Sequence, residues 1–247
     1  MGKDAPFLAH LGELRRRLLI STAAIGIAFL IVLGGFSQYL LELLSEPLTE
    51  RGVLIIYTGL AEAFAVQLRV SVIGGVVLAA PVVLWQIWSF LGPALYPRER
   101  ISFLTTFGVI MGLFVSGVAF AYFLVFNLAI NFFLLTGEGL ATPMISIDRY
   151  VSMLMGFVIP FGLMFQLPVV VTVLHKLGIV STASLVRARK YVIFATFAIS
   201  AIITPPDLVS LIMLAVPICL LYEASILISW LSKPKNEDQE NEMDATP

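Results

Sequence analysis

Two carboxylates with arginine neighbours are the residues whose chemistry is most specific. Glu13 precedes Arg15 and Arg17, and Glu99 lies between two further arginines. Such a carboxylate either makes a local charge pair with its neighbours or binds a cationic ligand. Because a guanidinium group binds a carboxylate through a bidentate fork, Glu13 and Glu99 together predict an acidic patch that suits a ligand bearing guanidinium groups.

Three further polar residues lie in or beside apolar runs. Gln166 could hydrogen-bond between helices or line a polar cavity within a membrane. Glu223 lies close enough to the end of its run to extend its carboxylate towards an interface. Asp207, in a turn after two prolines, is most simply the N-cap of the following helix.

The residues required for enzymatic or metal chemistry are sparse. The chain has two histidines and one cysteine, Cys219. It lacks H-E-x-x-H, G-x-S-x-G and phosphate-binding glycine motifs. No basic face is large enough for nucleic acid. We therefore expect no catalytic residue, no metal, no cofactor and no nucleic-acid partner.

The composition indicates an all-α polytopic membrane protein. Of the 247 residues, 59% are hydrophobic and 13% charged, with a mean hydropathy of +0.98, whereas soluble domains are about 25% charged. A span needs roughly 20 apolar residues. The sequence predicts one transmembrane domain, 1–232, followed by a disordered polar tail, 233–247. Its six predicted spans are 18–41, 70–93, 101–135, 150–174, 191–205 and 208–231.

The placement of basic residues predicts the orientation. If the N-terminus is cytoplasmic, twelve of the fifteen Lys and Arg residues fall on the cytoplasmic side, as the positive-inside rule requires. This rule alone also explains Arg15 and Arg17. Both termini are then cytoplasmic. The loop after the first span predicts a structured periplasmic cap, with a short helix stopped at Pro47, an extended segment at 53–57 and a helix at 60–68.

Short motifs along almost the whole chain resemble those of the TatC family, the polytopic core of twin-arginine protein transport. The resemblance rests on their order and spacing together. The motifs are HLGELRRRL at 10–18, PL at 47–48, EAF at 62–64, AP at 80–81, QIW at 86–88, FLGPALY at 90–96, ER at 99–100, AFAYF at 119–123, FG at 161–162, FQLP at 165–168, RARKY at 187–191 and TPPD at 204–207.

The resemblance implies a function, a site and partners. It implies a receptor for twin-arginine signal peptides in a bacterial or archaeal cytoplasmic membrane, surrounded by membrane lipid. With TatB-type partners, in an oligomer, and TatA-type subunits, it would move folded cargo using the proton-motive force. The implied signal-peptide site is Glu13 and Glu99, with Arg15, Arg17 and Phe90 nearby. Partner contacts or intramembrane polar roles are expected at Gln166, Pro47 and Asp207.

Two other classes of function remain compatible with the residues themselves. A secondary transporter or channel for a small solute is suggested by Gln166, by the prolines at 160 and 168, and by the short last two spans. The absence of paired ionisable residues within the spans argues against ion coupling. A purely structural scaffold for other membrane subunits is the third class. Short spans five and six could also thin the bilayer locally.

Overall fold

The structure is a computed structural model that describes residues 4–95, 100–137, 139, 142–204 and 206–231. Glu99 and the predicted tail, 233–247, lie outside the described residues. Contacts between Cα atoms divide the chain into two compact units. The first comprises residues 1–93, 99–111 and 130–155, and the second comprises 94–98, 112–129 and 156–247. Several long helices contribute residues to both units.

The described residues are almost entirely helical, with one small sheet. In chain order the elements are α1 (Asp4–Ile31), a π-helical segment (Val32–Phe36), α2 (Ser37–Thr49), β1 (Leu54–Ile56), α3 (Glu62–Leu95), α4 (Arg100–Ala119), a second π-helical segment (Phe120–Phe126), α5 (Asn127–Gly137), β2 (Met144–Ser146), α6 (Ile147–Met164), α7 (Leu167–Lys176), α8 (Thr182–Ile203) and α9 (Leu208–Leu231).

Five helical stretches in the described residues are long and apolar enough to cross a membrane. They are Gly12–Thr49, Glu62–Ser89, Thr105–Gly137, Ile147–His175 and Leu208–Leu231. The remaining predicted span, 191–205, corresponds to the second half of α8. Three basic residues at 187, 189 and 190 occupy the first half of that helix, so its uncharged part is short. The all-α polytopic fold predicted from composition is confirmed.

In the first unit, two glycines of α3 lie close to the helical stretch that precedes it. A Cβ built on Gly75 would lie 2.9 Å from both the backbone nitrogen and the Cα of Phe29 on α1. One built on Gly74 would lie 2.7 Å from a methyl group of Leu40 on α2. Small residues allow helix backbones to approach in this way within membranes. Gly75 therefore sets how closely α1 lies against α3, and Gly74 leaves room for the side chain of Leu40.

The loop between the first two spans forms the elements that its sequence predicts. The extended segment becomes β1, which pairs in parallel with β2 so that Leu54 lies opposite Met144. The preceding helix, however, was expected to stop at Pro47, and α2 runs through Pro47 to Thr49. Proline removes one backbone donor, but the next turn closes through Glu50 N to Glu46 O at 3.0 Å.

In the second unit, aromatic rings and glycines bring α4, the second π-helical segment and α6 together. The ring centroids of Phe120 and Phe161 are 5.4 Å apart, with the planes inclined at 68°, an edge-to-face geometry that aromatic pairs favour. A Cβ on Gly117 would lie 2.7 Å from the carbonyl oxygen of Phe161. The fully buried side chains of Phe126 and Phe157 continue this packing.

Candidate functional site

The carboxylate of Glu13 holds a guanidinium group of its own helix. Arg17 donates from Nε and Nη2 to Oε1 of Glu13, at 3.1 and 2.5 Å. Its third nitrogen, Nη1, donates to the backbone carbonyl of Gln86 on α3 at 3.3 Å. The Glu13 side chain is half-exposed and that of Arg17 is mostly covered. Arg17 therefore fixes Glu13 and links the start of α1 to α3.

Helix geometry separates the neighbouring arginines from this contact. Successive residues of an α-helix are about 100° apart around its axis, so Arg15 lies about 200° from Glu13. Arg15 and Arg16 instead line a shallow depression on another face of α1, together with Gly12, Leu19, Ile20 and Ala23. The predicted role of Arg15 beside Glu13 therefore gains no support from the helix geometry.

The other two predicted signal-site residues are only partly placed. Phe90 belongs to α3, four residues after the carbonyl that accepts from Arg17, but its side chain is outside the described part of the structure. Glu99 lies outside the described residues altogether. The structure thus brings Glu13, Arg17 and the segment of α3 leading to Phe90 together, and the pairing of Glu13 with Glu99 stays a prediction.

Glu62, at the start of α3, is a second acidic centre, which lies in the EAF motif but was not predicted from the sequence as a site residue. It accepts hydrogen bonds from Ser146 Oγ at 2.5 Å, Thr58 Oγ1 at 2.7 Å, Gly59 N at 3.0 Å and Asp148 N at 3.2 Å, and also from the backbone N–H of Thr58. The residue is buried. The spacing of Thr58 and Glu62 is close to a capping box, which is the signal that could have revealed the local half of this arrangement.

Asp148, whose backbone N–H donates to Glu62, connects this network to a cation. Arg69 of α3 pairs with the carboxylate of Asp148 and donates to Ser152 Oγ at 2.5 Å. Glu62 lies before the uncharged part of α3. Hydrogen bonds lower the pKa of Glu62 to about 2. The bond from Ser146 has the largest effect, and those from Thr58 follow. Glu62 is thus ionised at neutral pH. Its hydrogen bonds connect the loop after β1 to the end of β2 and the start of α6.

The polar residues of the second unit have distinct surroundings. Gln166 is half-buried at the break between α6 and α7, where its backbone carbonyl accepts from Val169 and Val170. Asp207 Oδ1 accepts from Ser210 N at 2.6 Å, which is the N-cap contact expected for α9. Glu223 pairs with Arg189 of α8 at 2.7 Å. That pair was not expected from sequence, because the two residues are far apart along the chain.

Comparison with known proteins identifies the family. The profile described as "Sec-independent protein translocase protein (TatC)" matches residues 9–217. The TatC of Carboxydothermus hydrogenoformans is 42% identical over 94% of this chain and 96% of that protein. The TatC of Aquifex aeolicus is 38% identical over 94% of this chain and 98% of that protein.

A solved structure described as the twin-arginine translocase receptor TatC matches with a TM-score of 0.83 and 38% identity. The match covers 90% of this chain and 98% of that one. The long apolar helices and this fold define a multi-pass membrane protein of protein transport. The chain belongs to the TatC family and is a non-enzymatic subunit of a Sec-independent protein translocase. Family membership favours this class over the small-solute transporter and the structural scaffold.

Proposed function

We propose that this chain is the subunit that receives the twin-arginine signal peptide of folded precursor proteins. The observation that carries the proposal is the contact between Arg17 and Glu13, because it shows a carboxylate on α1 already bound to a guanidinium group. The likeness to a solved structure whose title calls it a translocase receptor supports the same function. Glu99 supplies the second carboxylate in this proposal, and Phe90 an aromatic neighbour.

The chemistry of recognition follows from the charges. A signal-peptide arginine competes with water for the half-exposed carboxylate of Glu13, which Arg17 holds in one orientation. The two carboxylates of Glu13 and Glu99 would distinguish paired arginines from paired lysines because only guanidinium has a planar fork. A lysine pair keeps the charge and loses the bidentate geometry. Discrimination therefore arises from shape as well as from charge.

The partner subunits are part of the same proposal. With a TatB-type subunit this chain forms the receptor oligomer, and TatA-type subunits join it for transport driven by the proton-motive force. The second half of α8 supports a helix-binding surface, since Phe194 and Ile202 are 76% and 83% exposed. The location proposed here is a cytoplasmic membrane. The twelve basic residues on one side favour an orientation with both termini cytoplasmic, which would place α2, β1 and β2 in a periplasmic cap.

Photocrosslinking of a twin-arginine signal peptide to the membrane-embedded full chain tests the receptor function. Hydrogen bonds to charged groups contribute about 1.5–3 kcal/mol, so Glu13→Gln and Glu99→Gln should each weaken binding roughly 10- to 150-fold. Glu42→Gln, which removes an exposed carboxylate of α2, is the matched control and should bind normally. A peptide with both arginines changed to lysine should bind poorly. Unchanged crosslinking in the double variant would show that the acidic patch is not the receptor site.

Gln166, Pro47 and Asp207 take part in assembly in the same proposal. Gln166 is half-buried at the break between α6 and α7, and a polar residue at membrane depth is suited to contacts between helices. Gln166→Leu should reduce assembly or transport while membrane insertion stays normal. If both assembly and transport are unchanged, its role is helix packing. Pro47 and Asp207 each lie next to a helix end, so variants there should be compared first for folding and then for partner binding.

Cysteine accessibility tests the proposed orientation. Single cysteines are placed within 45–60, 142–148 and 178–188 in a variant that lacks Cys219. The first two regions should react with an impermeant maleimide added from the periplasmic side, and the third should not. Labelling of the third region from that side would refute the orientation.

A further inference from the structure

We propose that Arg15 and Arg16, with the apolar strip that follows them on α1, form a binding site for an anionic phospholipid. The depression that these arginines line also contains Gly12, Leu19, Ile20 and Ala23. Both arginines are exposed. Within the described part of the chain, neither makes a hydrogen bond or an ion pair.

Helix geometry explains why this face differs from the one that holds Glu13. With about 100° per residue, Arg15 and Arg16 flank the line that runs through Leu19 and Ala23. Glu13 and Arg17 lie together on a face turned by roughly a quarter of a circle or more, where Arg17 contacts the backbone of α3. Three consecutive arginines are thus divided, two facing the depression and one facing the protein.

The residues that line the depression suit a ligand with an anionic end and an apolar end. Its cationic end lies where the uncharged run of α1 begins, at Leu18. Its apolar end extends about 10 Å further along the helix, at 1.5 Å per residue. A soluble anion would use only the arginines, and a neutral lipid only the strip. A phospholipid with an anionic headgroup uses both, since the headgroup meets two guanidinium groups while an acyl chain lies against Leu19 and Ala23.

The charge of this face favours a lipid over a twin-arginine peptide. The strip continues into the part of α1 that is apolar enough to span a membrane, which is the depth at which an acyl chain lies. The depression also offers cations to its ligand, whereas a twin-arginine peptide would be repelled by them. The ligand of the depression is therefore an anion, whereas the proposed ligand of Glu13 is a cation.

Native mass spectrometry of the full-length chain in a neutral detergent tests the site. Delipidated protein is titrated with dioleoyl-phosphatidylglycerol and, separately, with dioleoyl-phosphatidylcholine. The anionic lipid should bind more tightly. Arg15→Gln with Arg16→Gln should lower its affinity about 25-fold, at about 5-fold for each arginine, and leave phosphatidylcholine binding unchanged. Arg187→Gln with Lys190→Gln, which removes two exposed cations of α8, is the matched control and should keep the preference.

A second variant tests the apolar half without altering charge. Ala23 is exposed, so Ala23→Phe fills the strip and should weaken the anionic lipid severalfold. Soluble glycerol phosphate should not compete. The proposal is overturned if the double arginine variant keeps its preference, if Ala23→Phe has no effect, or if glycerol phosphate competes as well as the lipid. Loss of signal-peptide binding with unchanged lipid preference would instead assign the depression to the peptide.

Discussion

Arg189 of α8 and Glu223 of α9 form an ion pair, with Nη2 and Oε2 2.7 Å apart. Both side chains are half-exposed, and Nε of Arg189 is buried and has no hydrogen-bond partner among the described residues. Tyr222 lies next to the pair and donates to the carbonyl of Leu185 at 2.9 Å. These contacts join the charged half of α8 to the second half of α9. The uncharged half of α8 takes no part in them.

Breaking this pair should destabilise the second unit moderately. Glu223→Gln leaves Arg189 without its counter-charge. The cost should be about 1–2 kcal/mol, between the values for exposed and for buried pairs. Thermal unfolding in detergent measures it, and Arg187→Gln on the exposed side of α8 is the control. Exchanging the two charges in one double variant should recover most of the loss. A double variant no better than Glu223→Gln would contradict a direct pairing.

Removing the carboxylate of Glu62 should release the segment that precedes α3. Five donors converge on it, and a buried donor left without an acceptor is costly. Glu62→Ala should speed limited proteolysis between residues 50 and 61 roughly tenfold or more, while helix content is unchanged. Glu50→Ala, at an exposed carboxylate in the neighbouring turn, should leave the cleavage rate as it is. Equal rates in both variants would contradict the role of Glu62.

The same contacts predict how this segment responds to acid. Because the pKa of Glu62 falls from 4.5 to about 2 on folding, its contribution to stability is complete above pH 4.5. That contribution is lost as the pH falls from 4.5 towards 2. An acid-stable protease such as pepsin should therefore find the segment in the wild-type protein increasingly accessible only below about pH 4.5. In Glu62→Ala the accessibility should not change over this interval, and a parallel change in both proteins would contradict the assignment.

A larger side chain at Gly75 should separate α1 from α3. Even a Cβ there would meet the backbone of Phe29 at 2.9 Å, and backbone cannot move aside as a flexible side chain can. Gly75→Leu should therefore lower thermal stability by at least 1–3 kcal/mol, the usual cost of overpacking. Gly108→Leu, where an added Cβ meets nothing within 4 Å, is the control. Similar stability of the two variants would contradict the close approach.

The sequence pattern predicted the helices well and the polar contacts between them poorly. Uncharged runs predicted the helical class because a chain in lipid must satisfy its own backbone hydrogen bonds. Asp207 was interpreted correctly as an N-cap because that contact spans three residues. The hydrogen bond from Ser146 to Glu62 and the ion pair between Arg189 and Glu223 join residues that are 84 and 34 positions apart along the chain. No periodicity encodes such pairs, since they depend on how the helices pack.

The uncharged half of α8 is the predicted surface for a single-span partner. Ile199 and Ile202 are 47% and 83% exposed there, whereas Ser200 is buried. Cysteines at 199 and 202 should crosslink to a TatB-type helix at severalfold higher yield than a cysteine at 200. A cysteine at Val109 of α4, which is also exposed, is the control. Crosslinks confined to α4 would refute the assignment.

Arg17 should act through Glu13 and not by contacting the ligand. Its Nε and Nη2 both donate to Oε1 of Glu13 while Nη1 reaches Gln86 on α3. Lysine has a single donor nitrogen and lacks the planar guanidinium whose separate nitrogens contact the two acceptors here. Arg17→Lys should therefore weaken signal-peptide binding about tenfold, the equivalent of one charged hydrogen bond. Arg17→Gln should weaken it further.

The matched control for Arg17 is Arg16→Gln, since Arg16 is exposed on another face of α1 and should leave peptide affinity unchanged. Titration of a fluorescent signal peptide onto the purified full chain gives both affinities.

Exchanging the charges of Glu13 and Arg17 restores the ion pair and removes the carboxylate from position 13. If the pair only stabilised α1, the exchanged variant would bind normally. Because a guanidinium ligand needs the carboxylate at 13, the exchanged variant should be stable and should not bind. Tighter binding by Arg17→Gln would show that Arg17 competes with the ligand and would contradict its role in positioning Glu13.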